Sequence, residues 1–288
     1  MRPASTTTAS TSWVGPEVPR RAATKFVAVT DSGPEHRPPP PPPPPTDLAP
    51  PPGYTGYAQN LSSSVDLKRV GGIAKALMIL LGVYILGSII SLVGTPRVVD
   101  SAKDFLAERI SEDDFTEDVG IYGLTTALSG LAQLAIVVLT IIWTYRIVKN
   151  HRTIGRQTTW GPGMAIGGWF LPPFLYVIPT LVLREAWKAA DPDVPPGDQR
   201  WKQNGDNPVL WLWFLVFGVI TFVLSVVNSS LQFRQFGGDA DDLADVYADS
   251  LGMLIAMGIT GIISAVLWAI VVRQWTARHT ALTGEARG

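Results

Sequence analysis

The chain has 288 residues, 47% of them hydrophobic and only 16% charged, with a formal net charge of −1. Soluble chains average about 25% charged residues, so the deficit points to a membrane, and the balanced charge offers no basic field for nucleic acid. Cysteine is absent, which excludes disulfides, thiol catalysis and cysteine-ligated zinc or iron–sulfur centres, and the three histidines (His36, His151, His279) share no metal-ligand spacing.

Residues 1–69 form a polar tail with 15 of the chain's 24 prolines, including the unbroken run from Pro38 to Pro45. Such a run is held in polyproline II, a stiff rod of roughly 25 Å here. The surrounding Ser, Thr and Gly cannot build a core, so disorder is expected. The rod reads either as a spacer or as a docking site for a protein partner with an aromatic-lined groove. The first thirty residues contain no apolar segment of leader length, so the N-terminus is expected to stay in the cytoplasm.

A membrane domain is expected over residues 70–283. Four uncharged apolar runs, 76–94, 124–145, 209–231 and 251–272, are each long enough as a helix to cross a hydrocarbon layer of about 30 Å. Charge sets their orientation. Residues 95–123 carry eight acids against Arg97, Lys103 and Arg109, and residues 232–250 carry five acids against Arg234. Residues 146–163 instead hold Arg146, Lys149, Arg152 and Arg156 with no acid, and Arg273 and Arg278 follow the last run. Lys and Arg stay on the cytoplasmic side. The chain is thus expected to be a multi-pass protein of the cytoplasmic membrane with both termini cytoplasmic. In the first acidic loop, Thr95 and Pro96 read as the cap and first residue of a separate surface helix.

That orientation requires an even number of crossings and constrains the stretch 164–183, which is apolar but broken by Gly167, Gly168, Pro172, Pro173 and Pro179. Irregular backbone at membrane depth is tolerated only within protein or around a watery cavity. The stretch is expected either to dip in and return or to lie along the interface. Residues 181–190 after it read as a short interfacial helix, with Arg184 and Lys188 reaching headgroups. The candidate functional segment comprises Trp160, Pro162, Gly167, Gly168, Trp169, Phe170, Pro172, Pro173, Phe174, Arg184, Glu185 and Trp187. For Glu185, pairing with Lys188 or with Arg152 is expected.

Eight tryptophans (Trp143, Trp160, Trp187, Trp201, Trp211, Trp213, Trp268, Trp275) fall near the basic end, as an anchoring belt or as the lining of a vestibule. Gly252, Ala256, Thr260 and Ser264 form a small-residue stripe for close helix packing, as do Gly87 and Ser91. The acidic motif at 112–118 resembles that at 240–246, and Arg146 with His151 resembles Arg273 with His279. A parallel duplication offset by about 127 residues would place two similarly oriented hairpins side by side.

No intramembrane charge marks an ion path, and no Ser–His–Asp set, HExxH or phosphate loop is present. No cofactor or metal is implied. Basic residues, then WGPGMAIGGWFLPPF, then LREAWKA resemble the hallmark of a bacterial, largely actinobacterial membrane family, domain of unknown function 4328. The resemblance covers residues 70–283 and implies a multi-helix membrane domain behind a proline-rich tail, with no established activity. The expected fold class is an all-α membrane protein of four transmembrane helices in two hairpins, plus the broken segment. The first functional expectation is a non-enzymatic interaction or scaffold protein. The alternative is a channel or carrier for an uncharged or lipid-like solute.

Overall fold

The computed structural model describes residues 66–171, 176–232 and 239–285. Most of the tail, with its proline run, lies outside them. Among the described residues every regular element is helical. In chain order they are α1 Gly71–Leu106, α2 Glu112–Thr153, α3 Pro162–Gly167, a 3-10 turn Gly168–Phe170 and α4 Val177–Ala189. A second 3-10 turn, Arg200–Gln203, precedes α5 Pro208–Trp213, a π-helical stretch Phe214–Thr221 and α6 Phe222–Gln232. Finally come α7 Ala240–Asp249 and α8 Leu251–Thr283. Four helices are long and apolar enough to cross a membrane: α1, α2, the continuous α5–π–α6 helix and α8. Each contains one of the four apolar runs. Their outward side chains, such as Ile79, Leu86, Val93 and Leu134, are left exposed, as lipid-facing residues are.

Local chemistry sets the helix starts. Ser111 caps α2 by accepting from the Asp114 amide, while the Asp114 carboxylate accepts from Ser111 in return. Asp239 caps α7 by accepting from the Asp242 amide. Asp239 stands 128 residues after Ser111, so both caps keep the register of the two acidic motifs.

Two ends of the bundle follow from the contacts. At one end, Asn150 binds the Lys68 main chain through both amide atoms at 2.8 Å, and Glu285 accepts from the Val70 and Gly71 amides. This end gathers both ends of the membrane domain and the end of α2. It also holds the start of the third span, where Asn207 donates to Gln274 at 2.7 Å. At the other end Arg97 pairs with Asp118 at 2.8 Å, Tyr122 meets Tyr247 edge-on, and Phe115 is buried with Ala102 and Ala244. The chain therefore leaves α2 and enters α5 at the same end. The spans form two hairpins, and the segment between them begins and finishes on one side.

Several expectations need correction. Pro96 does not begin a new helix, because α1 runs through it to Leu106. The lost amide bond at Pro96 is offset by burial of Val98, Val99 and Ala102 and by the Arg97–Asp118 pair. The tryptophans form a core more than a belt. Trp143, Trp201, Trp213, Trp268 and Trp275 are buried, and three indole N–H groups find protein acceptors. Trp143 donates to Thr276, Trp268 to Thr140 and Trp275 to the Leu183 carbonyl. In the α8 stripe Ser264 is buried, but the tightest approaches are made by glycines outside it. A Cβ on Gly258 would meet Leu92 at 3.0 Å and one on Gly261 would meet the Tyr84 hydroxyl at 3.0 Å, whereas Gly252 faces open space. Gly87 does sit at an interface, against Ser129 of α2.

Candidate functional site

The broken segment is built as two limbs. Pro162 opens α3 at its first position, where the missing amide hydrogen costs nothing. Gly161 lies against the Arg152 guanidinium, yet eight residues later Trp169 lines a cavity with Thr140 and Gln133. From Arg152 to Thr140 is twelve residues of α2, about 18 Å. On the other limb Tyr176 packs edge-on against Phe217 and Phe222, well inside the third span. Both limbs thus pack into the bundle, one beside α2 and the other against the third span. Gly168 makes the limbs' closeness possible, since a Cβ there would stand 2.5 Å from Ile178 Cγ2. Phe170 is exposed, and Pro172, Pro173 and Phe174 lie outside the described residues.

The return limb is pinned from three sides. Glu185 accepts from the Thr159 and Trp160 amides at 2.6 and 2.9 Å, holding the start of the segment against α4. The Trp160 ring packs beside Val148, Ala165 and Val182. Arg184 and Lys188 both pair with Asp206, at 2.7 and 3.0 Å, instead of reaching headgroups. These two pairs also correct the partner expected for Glu185: Lys188 is taken by Asp206, and Arg152 donates to Thr158. Trp187 lies 4.6 Å from Trp275, ring to ring, under the Arg278 guanidinium, which pairs with Asp191. Hydrogen bonds from Arg184 and Lys188 hold the Asp206 carboxyl below its ordinary value.

Beside these limbs lie two neighbouring spaces. The larger, about 360 Å³, opens among α1, α2, α6, α7 and α8 toward the acidic end. Its lining holds serine, threonine and tyrosine hydroxyls together with Gln133 and Asn228, and no charged side chain. Among the described residues, the Gln133 and Asn228 amides have no hydrogen-bond partner. By contrast Thr125, Thr126 and Ser129 satisfy themselves on carbonyls of their own helix. The smaller space, about 80 Å³, shares Tyr84 and Gln133 with the first and continues toward the basic end. Its walls include Trp169, Trp213, Trp268 and Phe217. The Trp169 indole N–H is buried without an acceptor. From Tyr122 to Thr140 the two spaces follow eighteen residues of α2, about 27 Å of a membrane roughly 30 Å thick. The adjoining span carries the π-helical stretch, a feature frequent at functional sites.

A buried polar cluster closes the basic end. His151 and His279 are wholly buried, with His279 Nδ1 3.2 Å from His151 Nε2. Their sequence separation gave no hint of this, and no group of three metal-ligating side chains forms among the described residues. The one available signal was the duplication, which places both histidines at matching positions of parallel helices.

A helical bundle with four helices long and apolar enough to cross a membrane defines an integral membrane protein. The chain matches the family profile "Domain of unknown function (DUF4328)" over residues 108–277, more than half its length, and belongs to that family. No curated protein and no solved structure matches it.

Proposed function

We propose that this protein is a non-enzymatic conduit or carrier for a small uncharged polar solute, seated in the bacterial cytoplasmic membrane with both chain ends cytoplasmic. The observation that carries the reading is the uncharged polar vestibule that narrows into an indole-lined cavity. Unpartnered amides at Gln133 and Asn228 offer donors and acceptors to a neutral solute, and the lining has no charge to attract an ion. The limb carrying Trp169 is the floor of the path, tied to the bundle at its start and finish. The orientation is supported by the Lys and Arg content of the end where Lys68 and Glu285 lie.

The test is solute flux into vesicles carrying the purified protein, with urea, glycerol and larger polyols as probes. Flux should rise in Trp169→Ala and fall in the double variant Gln133→Leu/Asn228→Leu. Absence of flux for every probe in both wild type and Trp169→Ala would remove the proposal. The proline run supports a second, separable role as a docking rod for a protein partner. A pulldown whose partner set is unchanged when Pro38 to Pro45 are replaced by a Gly/Ser segment would count against that role.

A further inference from the structure

We infer that the open groove between the start of α1 and the end of α8 is a binding site for an anionic phospholipid. The groove encloses about 1370 Å³ at the basic end of the bundle, and Arg69, Lys75, Arg146 and Arg273 line it. Among the described residues none of these four cations pairs with a carboxylate. The two acids at its edge are already engaged: Asp66 pairs with Lys68, and Glu285 caps the α1 amides. Four uncompensated cations converging on one groove call for an anion.

The wall chemistry says what kind. Met78, Ile79 and Val272 line the groove beside the cations. Met78 and Ile79 are exposed, and the same side of the bundle carries exposed Val83 and Leu86 further along α1. An occupant must therefore be anionic at one end and apolar along the helix, as a phospholipid is. Arginine forks match phosphate oxygens in pairs, and Arg146 is already oriented by its bond to the Arg69 carbonyl at 2.8 Å. The chain's own tail is a poor occupant. Residues 1–65 carry five Lys or Arg against four Asp or Glu, so they do not complement the groove.

The test uses the full chain with a benzophenone side chain at Ile79, reconstituted in phosphatidylcholine vesicles containing a minor share of phosphatidylglycerol. After illumination, mass spectrometry identifies the adduct. Phosphatidylglycerol adducts should exceed their share of the bilayer, and the excess should fall about fivefold for each cation removed in Lys75→Gln and Arg273→Gln. Undiminished total lipid labelling in these variants confirms that they are folded. Adducts that follow bulk lipid composition would overturn the site, as would adducts to residues 1–65 or to a second copy of the chain.

Discussion

His279 Nδ1 stands 3.2 Å from His151 Nε2, and the two rings bridge α2 and α8 at fully buried positions 128 residues apart. The proton positions follow from a chain of hydrogen bonds. The Lys68 amide donates to Asn150 Oδ1, which fixes Asn150 Nδ2 as a donor both to the Lys68 carbonyl and to His279 Nε2, 3.0 Å away. His279 Nε2 must then accept, so its proton is on Nδ1 and is donated to His151 Nε2. Both rings are neutral Nδ1–H tautomers. Nitrogen NMR of histidine-labelled protein should show two imidazoles with bare Nε2 atoms at neutral pH, and an Nε2-protonated His279 would break the chain. Replacing Asn150 with Leu removes three bonds at once and should cost about 2–4 kcal/mol, read by denaturation in detergent.

The close contact of the two limbs gives a sharper test. A methyl at Gly168 collides with Ile178 Cγ2, and a β-branched side chain cannot swing clear. Gly168→Ala should destabilise by about 1–3 kcal/mol. Adding Ile178→Ala should restore most of that loss. Two losses that simply add would show that the limbs do not touch there.

Much of this architecture was legible because two signals act over long stretches. Span length is set by hydrocarbon thickness and orientation by Lys and Arg, so runs of about twenty apolar residues and the charges between them constrain the topology. The duplication gave a third signal, and the caps at Ser111 and Asp239 keep its register. The partners of single side chains were not legible. Asp206 takes both Arg184 and Lys188 because the loop after α4 folds back on it, and no local spacing encodes that return. The burial of five tryptophans is not encoded locally for a related reason. An indole serves equally at a headgroup or in a helix interface, and only tertiary acceptors such as Thr140 and Thr276 decide.

The loop that joins α4 to the third span depends on Arg156. Its guanidinium is buried and donates to the carbonyls of Asp191, Val194 and Asp198. The three carbonyls are reached from two separate guanidinium nitrogens, a spread that the single nitrogen of a lysine does not reproduce. Arg156→Lys should therefore cost nearly as much as Arg156→Gln, about 2–4 kcal/mol. Proteolysis should then appear within residues 190–199. An Arg156→Lys variant as resistant as wild type would contradict the hub role.

Asp206 supplies a pH dependence. Hydrogen bonds from Arg184 and then Lys188 depress its folded-state value, so its contribution is complete above the unfolded carboxylate value of about 3.9. It is lost as pH falls from there through the lower folded value. Wild type should lose stability over that acid window more steeply than Asp206→Asn, as the midpoint of detergent-solubilised unfolding measures. Parallel curves would mean that the pairs are screened to nothing.

Because the chain has no cysteine, its sidedness can be read with single introduced thiols. Asp113 and Asp241 are exposed at the acidic end, whereas Thr153 and Asp193 are exposed on either side of the broken segment. His151 is unsuitable, since it is buried and an introduced thiol there would be silent in either orientation. With an impermeant maleimide on intact cells, cysteines replacing Asp113 and Asp241 should label. Those replacing Thr153 and Asp193 should label only after the membrane is opened. The decisive comparison is between the last two. If the segment between them crosses the membrane, one labels from outside and the other does not. If it enters and returns, they behave alike, as the Glu185 bonds to Thr159 and Trp160 require.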